Sequence, residues 1–156
     1  MESNRARQAV RASTGQLLLR AARLLDERAV ARVNASPDRP AGVELRPAHT
    51  RLFPHIPFDG GVRTTDLARL VGVTKQAVQP LIAELEAWGI VALSPDPTDG
   101  RARLVAWTPL GLDSIHHGLA VLRQIEHEIA AKIGSERIDT LHETLARVVA
   151  MLEPEP

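Results

Sequence analysis

Near the middle of the chain, Thr74, Lys75, Gln76 and Gln79 bring together groups that can address a nucleic-acid duplex. A Gln amide can pair donor and acceptor with the edge of adenine, and a Lys can reach guanine or a phosphate. Some twenty residues further on, Asp96, Asp99, Arg101 and Arg103 fall in a stretch dense in turn formers. An Arg on a protruding tip can enter a minor groove, where negative potential is focused, and a neighbouring carboxylate can orient its guanidinium. Other chemistries find little support. Ser13, Ser36, Ser94, Ser114 and Ser135 lie in no Gly-x-Ser-x-Gly context, and no glycine-rich phosphate loop appears, so an enzyme is not expected. The six His include no pair at i, i+4 on one expected helix face, and there is no Cys to join them, so neither a metal site nor a bound cofactor is expected. The lack of Cys also excludes thiol-based oxidant sensing.

The elements that must hold these residues follow from periodicity and capping signals. Leu17, Ala21, Leu24, Leu25, Ala29 and Val33 recur at helical steps and predict a helix over 14–33. The stretch 34–47 holds three prolines and reads as a loop, followed by a short helix from about Pro47 to Phe53. A short helix is expected over 64–72, with Thr64 or Thr65 as its N-cap. A second is expected over 74–88, capped by Thr74 and stopped by Gly89. Pro80 lies inside it, cannot donate back to Gln76, and should kink or tighten its first turn. Ile90–Leu93 and Leu104–Trp107 read as two short strands around a polar tip at 94–100. Thr108-Pro109 then opens a helix that runs to Gly134, and Ser135 is expected to cap a last helix carrying Ile138, Leu141, Leu145, Val148 and Leu152.

Ala68, Gly72, Val78 and Leu81 have the spacing of a helix-turn-helix, in which the small residue allows close crossing and the glycine takes the turn. With the hairpin that follows, this makes a winged helix. The fold class is therefore mainly α with a small β-wing. Four regions are expected: a flexible basic tail over 1–13, an N-terminal helix and loop over 14–46, the winged helix over 47–108, and two C-terminal helices over 109–156.

Composition agrees with one soluble domain. Of 156 residues, 44% are hydrophobic and 24% charged, and basic and acidic residues balance at nineteen each. Charge is uneven, since residues 1–25 hold five Arg against one Glu, whereas residues 109–156 hold four basic and eight acidic groups. The Arg- and Ala-rich start has some character of an organelle transit peptide, but the expected location is cytoplasmic. Aromatic residues are 3%, too few for stacking platforms on single strands, and no apolar run could span a membrane.

Thr65-Asp66-Leu67-Ala68, Glu84-Leu85-Glu86-Ala87-Trp88-Gly89-Ile90-Val91 and the run from Asp96-Pro97-Thr98-Asp99-Gly100-Arg101 to Thr108-Pro109-Leu110-Gly111 together resemble the multiple-antibiotic-resistance regulator (MarR) family. The resemblance covers about residues 14–152 and is strongest over 62–111. It implies a homodimeric transcriptional regulator, often a repressor released by a small ligand, on pseudo-palindromic duplex DNA. It places the recognition-helix contacts on Thr74, Lys75, Gln76 and Gln79, the wing-tip arginine on Arg101 and the supporting aspartate on Asp99; Thr64 and Arg103 join them as further candidate DNA contacts. It makes Leu17, Leu24, Ile129, Leu141, Leu145 and Val148 dimerisation residues. His49, Phe53 and His116 become candidates for a small-ligand site where the domains join, although Phe53 and Trp107 read first as core anchors. Gly100 departs from the family by replacing a second basic residue. The alternatives are a winged-helix module for protein–protein contact and a metal-responsive regulator.

Overall fold

The computed structural model describes residues 13–40 and 42–153. The basic tail expected at the start lies, apart from Ser13, outside the described residues. The chain divides after Gly118 into two compact units.

The first unit opens with α1 (Thr14–Ala35), where the Ser13 side chain accepts from the Gln16 N–H at 3.4 Å. Leu17, Leu19 and Leu24 stay exposed along it, and Val30 is buried. Its C-terminal half is tied to the segment that follows. The Asn34 side chain donates to the Leu45 carbonyl at 2.8 Å and accepts from the Leu45 N–H at 2.9 Å. Thr50 donates to Asp26 at 2.7 Å. The expected helix from Pro47 to Phe53 is two pieces: α2 (Pro47–Thr50) and a 3-10 turn (Phe53–His55). Pro54, inside that stretch, lacks the N–H a continuous helix would use.

The helix-turn-helix is α3 (Thr64–Val71) and α4 (Lys75–Ala87). Gly72 takes φ 76°, and the Val73 N–H reaches back to the Ala68 carbonyl at 3.0 Å, closing α3 with the two bonds of a Schellman turn. Leu67, Ala68, Val78, Ile82 and Leu85 are buried between and beneath the two helices. The expected N-cap at Thr64 or Thr65 is not observed. Arg63 is the capping residue, with no side-chain cap bond, and Thr64 is already helical. The reason is a short strand the sequence reading missed, β1 (Val62–Arg63), which holds Arg63 extended until the helix begins. Thr74 does cap α4, accepting from the Ala77 N–H at 3.2 Å. The helix runs through Pro80 to Ala87.

β2 (Val91–Asp96) and β3 (Asp99–Trp107) form the wing, and the antiparallel sheet has the order β1-β3-β2. Val91 pairs with Trp107, Leu93 with Val105, and Val62 with Val105 from the other side. The expected seven-residue tip is mostly strand: the ladder runs through an irregularity at Pro95/Asp96 and turns at Pro97-Thr98.

α5 (Pro109–Ile133) starts on a crowded joint. The Thr108 hydroxyl donates to the Gly89 carbonyl at 2.5 Å and accepts from the Gly111 N–H at 3.0 Å, while the Thr108 N–H donates to the Ile90 carbonyl at 3.2 Å. A Cβ on Gly111 would collide with the Ile90 carbonyl, so this position accepts glycine alone. Phe53 and Trp107 pack edge to face at 5.2 Å against the core, and the Trp107 indole N–H donates to the Ile56 carbonyl at 3.0 Å.

The second unit, from Leu119, holds the rest of α5 and α6 (Ser135–Leu152). Ser135 is not the expected cap. Gly134 is, at φ 97°, because the sharp turn between the helices needs a residue free of Cβ strain. No described residue of α6 is buried, and Leu141, Val149, Met151 and Leu152 are exposed.

Candidate nucleic-acid interface

The site is built where α4, the start of α3 and the wing converge. Val78, Ile82 and Leu85 turn one face of α4 into the core. At the opposite, N-terminal face Lys75, Gln76 and Gln79 are exposed. The peptide dipoles of the first turn give that end partial positive charge, which favours phosphate.

A cleft of about 470 Å³ opens between this face and the wing. Thr64, Lys75, Gln79, Asp99, Arg101 and Arg103 all line it. The structure thus gathers six of the eight sequence-predicted contacts in one concavity. Thr74 is engaged in capping, and Gln76 is exposed outside the lining.

Arg63 also lines the cleft, and sequence reasoning missed it. Its Nε donates to the Asp96 carboxylate at 2.6 Å and its Nη2 to the Thr98 hydroxyl at 3.0 Å. Thr98 in turn donates to Asp96 from both its backbone N–H and its hydroxyl, each at 2.7 Å. Asp96 is nearly buried, and these two bonds from Thr98, followed by those from Arg63, hold its carboxyl down to about 2. A wing carboxylate does hold a guanidinium, but the pair is not the expected one of Asp99 with Arg101. Asp96 holds Arg63, whereas Asp99 accepts from the Arg101 backbone N–H at 3.0 Å and shapes the strand. The available signal was Asp96 in the Asp-Pro-Thr turn, but nothing in the sequence paired it with a residue 33 positions earlier.

His49, one of the candidate residues for a small-ligand site, sits in the core. Its side chain is wholly buried, with its ring edge-on to Trp88 at 4.9 Å. Nδ1 accepts the Arg46 N–H at 3.1 Å and Nε2 lies 3.0 Å from Glu84, so both ring nitrogens are occupied in holding α2 against α4. His116, by contrast, is exposed. Burial, then the Arg46 charge, lowers the His49 pKa, with Glu84 opposing. The Arg46 guanidinium, hydrogen-bonded to Glu84, holds that carboxyl below its ordinary value. Among the described residues no group of three or more His, Asp or Glu is placed to hold a metal ion.

Residues 45–102, which span the helix-turn-helix and most of the wing, match the model of the MarR family. Over these residues the chain matches a MarR-family winged helix. Solved structures agree along almost the whole length. A probable transcriptional regulator from Pseudomonas aeruginosa is 26% identical, with 89% of this chain and 98% of that one covered and a TM-score of 0.58. Ligand-free wild-type MarR from E. coli is 18% identical, covering 87% and 96%, with a TM-score of 0.70. The transcriptional repressor CouR, solved on a 23-mer DNA duplex, is 19% identical, covering 90% and 94%, with a TM-score of 0.62. No curated protein matches the chain. The MarR family and these structural neighbours are regulators of transcription rather than enzymes. Among the described residues no helix is long and apolar enough to cross a membrane.

Proposed function

We propose that the protein is a homodimeric, sequence-specific regulator of transcription that binds pseudo-palindromic duplex DNA, acting as a repressor released by a small effector. The observation that carries this reading is the cleft in which the start of α4 faces Arg101 and Arg103 of the wing. The proposed division of labour gives base readout in the major groove to Lys75, Gln76 and Gln79. Thr64 and the start of α4 meet phosphate, and Arg101 and Arg103 enter the adjacent minor groove. A neighbour of the same fold solved on a duplex supports it. The apolar side chains left exposed on α1 and on α6 support a second copy of the chain as partner. Two symmetric reading heads would then address half-sites about one helical turn apart. An effector would act by binding one spacing of the heads better than the other. Work on chromosomal DNA would place the protein in the cytoplasm.

The test is selection from a random duplex library, followed by the salt dependence of the selected sequences. A pseudo-palindrome with steeply salt-dependent affinity is the expected outcome. No enrichment at low salt would turn the reading toward a winged helix used for protein contact.

A further inference from the structure

We propose that Arg63 is a DNA-phosphate contact held in its binding pose by Asp96 and Thr98; the inference rests on the DNA-binding reading above. A guanidinium carries five N–H groups in a rigid plane. Nε and Nη2, which point along one side of that plane, are taken by Asp96 and Thr98. The end-on pair of N–H groups, shared between Nη1 and Nη2, has no partner among the described residues. That pair has the geometry to take two oxygens of one phosphate.

Three placements aim it at DNA. The side chain is 40% accessible although its carboxylate partner is only 5% accessible, so the clasp is closed behind and open in front. It lines the same cleft as Lys75, Arg101 and Arg103, which contribute the other positive charges there. Its backbone is fixed on both sides, paired with Leu104 in the sheet and leading directly into α3. An arginine already held in one orientation loses little side-chain freedom on binding, which removes a cost that a free surface arginine carries. Arg63 sits between the two proposed readers, with its backbone paired to Leu104 partway along β3 and its side chain lining the cleft with Lys75 and Gln79 of α4. A phosphate seated there would fix how far the wing reaches along the strand while α4 lies in the groove.

The experiment is fluorescence anisotropy on a selected duplex across a KCl series, with the full-length protein and two variants. Arg63→Gln keeps a donor for Asp96 but removes the charge. It is expected to lower affinity about tenfold at moderate salt and to reduce the slope of log affinity against log salt by about one, as loss of one phosphate contact does. Thr98→Val keeps the charge and the Asp96 pair but frees the guanidinium. It is expected to lower affinity a few-fold with an unchanged slope. If Arg63→Gln lowers affinity with the wild-type slope, or leaves affinity unchanged, the residue is a structural clasp alone and the proposal falls. If Arg63→Gln fails to fold, a Thr98→Val protein with wild-type affinity overturns the preset pose. If the wild-type protein shows no salt-dependent duplex binding, the DNA-binding reading itself fails and takes this inference with it.

Discussion

Arg101 is exposed near the wing tip, and its Asp99 neighbour bonds its backbone rather than its guanidinium. Arg101→Ala should therefore leave the melting temperature unchanged and weaken binding to a selected duplex about tenfold, or ~1.4 kcal/mol. Anisotropy beside a thermal melt checks both halves, and an unchanged affinity would mean the wing does not enter the groove. His49 gives a different signature. An unfolded chain protonates its histidine near the ordinary value of 6.5, whereas burial holds the folded ring neutral to lower pH. The unfolded state thus binds more protons in that window, and stability should fall as the pH drops below about 6.5. Glu84, whose folded pKa is lowered, contributes stability that is present above its unfolded value and lost in stronger acid. Urea midpoints from pH 7.5 to 5 should decline in the wild type and flatten in His49→Gln, whereas a pH-independent midpoint would contradict the buried neutral ring. At this scale the sequence showed which types could contact DNA, since Lys75, Gln79 and Arg101 follow from local spacing. It did not show the partners of His49 or Arg63, which come from 35 and 33 residues away.

The elements depend on a few positions where backbone geometry leaves no choice. Gly111 presses on the Ile90 carbonyl, and Trp107 Cε3 would lie 3.0 Å from an added Cβ. Gly111→Ala should destabilise the protein by more than about 2 kcal/mol, because backbone must shift to admit the methyl. A urea midpoint close to wild type would show that the joint yields. Helix interiors and the Gly72 and Gly89 stops were legible because periodicity and glycine chemistry are local. The starts of α3 and α6 were not. A hydroxyl residue is the usual N-cap, but sheet pairing at Arg63 and a turn at Gly134 each moved the cap one residue earlier. The two-residue β1 has no pattern of its own and exists because β3 offers it an edge.

For the molecule as a whole, α6 has no buried described residue, and Leu141 is 45% exposed. A charge at Leu141 should therefore cost the single chain little. Leu141→Asp is expected to convert a dimer to a monomer on light scattering while keeping its helix content, and to lose high-affinity binding to a two-half-site duplex. A dimer that survives this change would place the contact elsewhere. The winged architecture was readable because its order of elements is compact in sequence. Which apolar stripes face inward was not, since a stripe such as that of Leu17 and Leu24 has the same period whether it packs within a chain or against a second one.

The clasp at the wing also limits how this protein can vary in length. Exposed turns between strands are ordinarily where a chain accepts extra residues. Here Asp96 and Thr98, two positions apart, grip the same guanidinium and each other. An insertion between them would separate the two acceptors and release the turn of the hairpin from β1. A longer or differently shaped wing would have to be made beyond Thr98, so the near side of the hairpin works as a fixed ruler and the far side as the part open to change.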